Sequence, residues 1–141
     1  MVIQRLQTLF LLIATVLMAL FAFLPFASVA VGPLAADLCP KDFPVYLILN
    51  LLIAILLFIA IFMYKNLKLQ KKVTLLSMVL ICCSAVTGGF LLYGPNAPKG
   101  VVALEWGGGV LLLIGALVFA LLAYRGIGKD QRTLSSYDRI R

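Results

Sequence analysis

Four long apolar stretches, at residues 6–30, 45–64, 73–93 and 102–124, account for most of this chain. Each is at or above the roughly 20 residues that a helix rising about 1.5 Å per residue needs to cross some 30 Å of hydrocarbon. In lipid such a segment must satisfy its backbone N–H and C=O groups internally, which selects the α-helix. The connectors at 31–44 (VGPLAADLCPKDFP), 65–72 (KNLKLQKK) and 94–100 (GPNAPKG) are short, and the first and third carry Pro and Gly that cannot continue a helix. Short links between long helices place consecutive helices side by side and antiparallel. The expected fold is therefore all-α, an integral membrane four-helix up-down bundle over residues 1–124 with a basic tail at 125–141.

Composition closes the other routes. Hydrophobic residues make up 64% and charged residues 12% of the chain, against roughly 45–50% and about 25% in soluble domains. With a mean hydropathy of +1.14, neither a water-soluble core nor a disordered chain fits. The absence of His removes the commonest metal ligand and general base, so no zinc site, haem or other cofactor is expected. The five acids, Asp37, Asp42, Glu105, Asp130 and Asp138, all avoid the middle of an apolar stretch, which argues against an ion-coupled transporter. No base, activated nucleophile or metal cluster emerges, and the chain is expected not to be an enzyme.

The net charge of +7 is distributed as a topology signal rather than a nucleic-acid patch. Arg5, Lys65, Lys68, Lys71, Lys72, Arg125, Lys129, Arg132, Arg139 and Arg141 fall on one side of the spans, and only Lys41 and Lys99 on the other. Both termini are expected inside, facing the cytoplasm and the anionic headgroups of the inner leaflet. Tyr64 and Tyr124 then anchor the inner interface, and Tyr46, Tyr93 and Trp106 the outer one. Ser28-Val29-Ala30 resembles a signal-peptide cleavage site, but the apolar run before it is longer than a signal peptide's. Cys39 is placed in the outer loop, with Cys82 and Cys83 in mid-membrane as small packing residues, so no disulfide is expected.

A few positions stand out against this background. Gly88 and Gly89 lie at the same depth as Gly107, Gly108 and Gly109; small-xxx-small spacing makes this layer a helix contact or, alternatively, the wall of an outer-leaflet cavity. Asn50 needs a partner across the bundle, with Thr87, Ser84 or free backbone within reach, and Glu105 is expected one turn inside the fourth helix. These three, Glu105, Asn50 and Thr87, are the candidate ligand or partner contacts within the bundle. On the inner side Gly126 and Gly128 are expected to loosen the backbone, and Leu134, Tyr137 and Ile140 recur at helical spacing among Arg132, Arg139 and Arg141. If that tail folds back, Arg5 meets Asp138, and Gln4 and Gln7 gain partners, which makes this group a candidate cytoplasmic docking surface.

The opening MVIQRLQTLFLLIA and the closing SSYDRIR resemble a family of small Gram-negative bacterial membrane proteins, domain-of-unknown-function family 4293. Its members begin with an Ile-Gln-Arg-x-Gln-Thr type motif, here Ile3, Gln4, Arg5, Gln7 and Thr8. They end in a basic tail finishing Asp-Arg-hydrophobic-Arg, here Asp138, Arg139, Ile140 and Arg141. Val2 departs from that pattern as an insertion after the initiator Met. The resemblance implies a four-helix architecture over the whole chain and implies no activity, substrate or cofactor. The leading expectation is a multi-pass, non-enzymatic accessory or structural protein of the bacterial inner membrane that docks a protein partner through its cytoplasmic face. The alternative is a small transporter or lipid-handling protein with an outer-leaflet cavity near Glu105 and the glycine layer.

Overall fold

The computed structural model describes residues 2–95, 97 and 99–140, and at residues 2–4 and 101–103 the backbone alone. The chain runs α1 (Val2–Phe21), β1 (Ala27–Val31), β2 (Leu34–Leu38), α2 (Pro44–Phe62), α3 (Leu67–Tyr93), β3 (Val101–Trp106) and α4 (Gly109–Ile140). The helices close a ring in which α1 packs on α2 and α4, and α3 packs on the same two. Neighbours are antiparallel. Gln7 near the start of α1 meets Asp130 late in α4, and Tyr46 early in α2 meets Ser84 late in α3. Three helical segments, Pro44–Lys65, Leu67–Tyr93 and Gly109–Ile140, are long and apolar enough to cross a membrane, while the apolar run of α1, Arg5–Phe21, is shorter.

On α3 the packing is inverted relative to a soluble bundle, whereas α1 and α2 bury mainly apolar residues such as Leu11, Met18, Ile53 and Leu57. The inward face of α3 reads Gln70, Thr74, Ser77, Ile81, Ser84, Gly88 and Leu92, all buried, whereas Leu75, Leu76, Val79, Val86 and Phe90 on the same helix are exposed. Thr74 and Ser77 return their hydroxyls to the carbonyls of Gln70 and Val73, and Gln70 Nε2 donates to the Ala60 carbonyl of α2 at 3.0 Å. A continuous apolar exterior of this extent is the surface of a chain whose solvent is hydrocarbon. The middle of the buried face of α4 is Ala116, Ala120 and Ala123, small residues that let its backbone come close to α1.

The expectation of an all-α chain is corrected by a three-stranded antiparallel sheet, ordered β2-β1-β3, at the end of the bundle away from most of the Lys and Arg. The first apolar stretch was expected to stay helical to residue 30. It stops at Phe21 because Pro25, with no N–H and with a restricting effect on its neighbour, bars continuation. The residues after it pair as a hairpin in which Val31 faces Leu34 across the two-residue loop Gly32-Pro33. Gly32 takes φ +64°, the left-handed conformation that a tight hairpin needs. The fourth stretch was likewise expected to be helical from 102, but its first residues form β3, paired to β1 with Ala27 opposite Trp106. Short apolar runs of this kind do not reveal by periodicity whether they are strand or helix. Alternation along β1 buries Ala27 and Val29 and leaves Ser28 half-exposed on the other face.

The sheet is locked to the helices by close backbone contact. Gly107 N donates to the Phe26 carbonyl and Gly109 N to the Pro25 carbonyl, each at 3.0 Å. Gly107 and Gly109 therefore hold α4 against the end of α1; they do not face α3 as the expected glycine layer required. At the opposite end, Gly126 and Gly128 lie inside a helix that continues to Ile140, so the expected loosening of the backbone there is also corrected. A Cβ at Gly109 would stand 2.7 Å from the Pro25 carbonyl oxygen, whereas none of the surrounding atoms lies within 4 Å of a Cβ at Gly89 or Gly108. Gly109→Ala should therefore cost about 1–3 kcal/mol of stability in detergent, and Gly89→Ala and Gly108→Ala close to nothing, as read by thermal unfolding of the purified chain.

Candidate functional site

At the sheet end, a polar cluster sits inside an apolar one. Asn50 Nδ2 donates to the Tyr46 carbonyl, and Asn50 Oδ1 accepts from Ser84 Oγ, both at 2.7 Å. The Tyr46 hydroxyl donates to the Ser84 carbonyl at 3.1 Å. Gly88 makes room for that hydroxyl, since a Cβ there would lie 2.8 Å from it. Phe21 and Phe26 meet the Tyr46 ring edge-on at 6.2 and 5.6 Å between centroids. Asn50 thus finds Ser84, one of its expected partners, while Thr87 turns back on its own helix and donates to the Cys83 carbonyl. This cluster ties α2 to α3 and presents no free polar atom for a ligand.

Beside the cluster lies a cavity of about 230 Å³ bordered by Phe21, Phe26, Tyr46, Ala85, Gly88, Gly89, Trp106, Val110 and Leu113. Its wall contains two glycines of the expected layer, and its character is apolar and aromatic. Glu105 was expected on a helix at this site. It lies instead on β3, opposite Ser28, and is exposed. Ser28 is opposite Asp37 on its other side and donates to that carboxylate at 2.7 Å. Asp37, Ser28 and Glu105 therefore form one row across the exterior of the sheet, outside the cavity lining.

Cys39 follows β2 and is buried. Burial away from water is the main cause that pushes its thiol above the ordinary value, with Asp42 and Asp37 adding to the effect and Lys41 opposing it. A thiol held protonated in this way is a slow target for alkylation, although the residue lies outside the helices. Cys82 and Cys83 are exposed along α3.

At the basic end a second polar contact crosses the bundle. Gln7 Nε2 donates to Asp130 Oδ2 at 2.6 Å, with both residues buried. Gly126 clears the space for it: a Cβ there would stand 2.8 Å from Gln7 Cγ. Gln7 was expected to be a docking residue of the tail and is instead an internal strut. Arg5, Leu134, Tyr137, Asp138 and Arg139 are all exposed. The tail does not fold back under α1, because α4 extends straight through it, and Asp138 borders a groove facing the start of α3. The side chain of Gln4, and Arg141, lie outside the described residues.

The buried positions of α4 recur at alternating spacings of three and four: Leu113, Ala116, Ala120, Ala123, Ile127 and Asp130. Leu134 and Tyr137 continue that spacing yet are 50% and 66% exposed. The seam that packs α4 into the bundle thus runs past its packed part with two further positions uncovered. Sequence reasoning named Ser84 as a partner for Asn50 but missed Asp130, Gln70 and Tyr46 as bundle-forming polar groups. The signal was present for α3, where Gln70, Thr74, Ser77 and Ser84 share one helical face; for Asp130 it was the same three-four spacing.

Among the described residues no group of three or more His, Cys, Asp or Glu side chains is placed to hold a metal ion. A family model for a domain of unknown function, DUF4293, matches residues 3–140 of the chain. No curated protein matches it.

Replacing Gln7 with Leu removes the donor that satisfies a buried carboxylate. The loss should be about 1–3 kcal/mol in detergent, while Asp130→Asn, which keeps an acceptor for Gln7 Nε2, should lose less. Chemical unfolding of the two variants beside the parent measures the difference.

Proposed function

The chain belongs to the DUF4293 family, and from its geometry we propose that it is a non-enzymatic membrane protein that docks a cytosolic partner along the free end of α4. The observation that carries this reading is the uncovered continuation of the α4 seam at Leu134 and Tyr137. From Tyr124, at the expected interface, to Ile140 the helix advances about 24 Å at 1.5 Å per residue, enough to clear the headgroup region. Residues 132–140 are exposed throughout. Uncovered seam positions of a helix call for a second helix, and the partner is one that supplies an amphipathic helix. Arg132 and Arg139 beside the seam, with Lys65 and Lys68 nearby in the chain's fold, favour acidic flanks on that helix.

In this reading all four helices cross the bacterial inner membrane. The short α1 is carried through by its antiparallel contacts with α2 and α4, and the end rich in Lys and Arg faces the cytoplasm by the positive-inside rule. Purification of tagged protein in mild detergent should recover a stoichiometric partner. Leu134→Ser combined with Tyr137→Ser should lose it without change in the melting temperature, and Asp138→Asn should weaken recovery less. A partner retained at full yield by the double variant would overturn the assignment to this seam.

A second reading, lipid handling at the outer leaflet, is favoured by the apolar cavity beneath Trp106. Trp106 is the sole tryptophan of the chain and stands at the rim of the cavity, so its fluorescence, compared between the parent and a variant with a filled cavity, reports on the occupant. Phospholipids brominated along the acyl chain should quench it, and Gly89→Leu, which builds into open space on the cavity wall, should reduce that quenching by half or more. Equal quenching in parent and variant would leave the cavity without an occupant.

A further inference from the structure

The charge at the basic end is gathered into two concavities. α3 begins at Leu67, so its first turns and the overhang of α4 bound an open groove of about 860 Å³. Lys65, Lys68 and Lys72 line one wall of this groove and Arg132 the other, against the one acid Asp138. A second concavity of about 390 Å³ is lined by Lys71, Arg125 and Lys129 and shares Arg132 with the first. Lys71 is held at its edge by the Tyr124 ring, whose centroid lies 5.1 Å from the ammonium. Tyr124 marks the depth at which the apolar part of α4 gives way to charge. The smaller concavity therefore opens at the level of lipid headgroups, and the larger one begins near that level at Lys72, next to the apolar stretch from Val73, and extends away from the membrane along α4 to Asp138.

We propose that the larger groove is a binding site for the phosphodiester headgroup of an anionic phospholipid. Like charges fixed on two helix walls repel one another unless an anion lies between them, and at this depth the abundant anion is the headgroup itself. The first turn of α3, which Asn66 does not cap with its side chain, borders the groove and adds the positive end of the helix dipole to its charge. Leu69 lines the groove, and Leu76, two turns further along the same face of α3, is exposed. A bound lipid thus has an apolar path for its chains directly above the charges that hold its phosphate. A soluble anion would have no use for that path, which is why the occupant is a lipid. The proposal goes beyond the docking of a partner: Leu134 borders both surfaces, but the lipid is held between the lysines at the start of α3 and Arg132, and the partner by the seam positions Leu134 and Tyr137.

The test uses the full chain in nanodiscs of phosphatidylcholine containing a minor fraction of phosphatidylglycerol, with the lipid retained after detergent extraction read by native mass spectrometry. Lys68→Gln with Lys72→Gln removes two charges from the groove. Arg5→Gln with Arg139→Gln removes two charges from the same end but outside both concavities. The parent should retain phosphatidylglycerol over phosphatidylcholine, the groove variant should lose that preference by more than about tenfold, and the control should stay within about twofold of the parent. Lys65→Gln with Lys68→Gln provides a second groove variant should the first fail to fold. Equal losses in groove variant and control would reduce the site to diffuse attraction and overturn the proposal. Displacement of the retained lipid by inorganic phosphate at constant ionic strength would overturn it in favour of a small-anion site.

Discussion

Hydrocarbon offers no hydrogen-bond partners, and the arrangement of this protein follows from that one deficit. A polar side chain along the middle of a helix must either return its hydroxyl to a carbonyl of its own helix, as Thr15 and Thr87 do, or turn inward and find a partner inside. The Tyr46, Asn50 and Ser84 cluster does this between α2 and α3, and Gln70 does it against the Ala60 carbonyl. Among the described residues no buried side-chain polar atom is left without a hydrogen bond. The rotation of α3 about its axis is set by these groups. Its apolar residues have no reason to prefer the interior over lipid, whereas Gln70, Thr74, Ser77 and Ser84 do.

Because lipid solvates Leu and Ile as well as a protein core does, helix contacts rest on closeness rather than on removing apolar surface from water. The alanines of α4 and the glycines at its start provide that closeness. Gly107 and Gly109 bring the chain onto the Pro25 and Phe26 carbonyls, and so attach the small sheet to the helices. The sheet in turn positions Trp106 and Phe26 at the rim of the apolar cavity. Its edge strand β2 is exposed over most of its length, while Ala27 and Val29 of the central strand face inward.

The two ends of the bundle are physically unlike. The sheet end is compact, with short strands, a buried thiol at Cys39 and an acidic row on its exterior. The basic end is open, with grooves between α3 and α4 and a helix that outruns its neighbours. The strut formed by Gln7 and Asp130 stands at the junction, where the packed part of α4 ends and its free part begins. It ties α1 to α4 at the last buried position of α4.

The number, order and antiparallel arrangement of the helices were legible in the sequence because hydrophobicity and chain length suffice to specify them. The clustering of Lys and Arg at one end was equally plain from position along the chain. The sheet was not, because its strands are short apolar runs: β1 and β2 form a local hairpin across Gly32-Pro33, but residues 101–106 become a strand only by meeting β1 across some seventy intervening residues. The same holds for Asn50 and Ser84, and for Gln7 and Asp130, 34 and 123 residues apart. The sequence could say that Asn50 needed a partner, since an unpaired amide in lipid is costly, but α2 and α3 had to be placed against each other before Ser84 was selected over Thr87. Local composition determined what each segment could be; the placing of one helix against another decided which polar groups would be spent on packing and which basic ones would be left facing a groove.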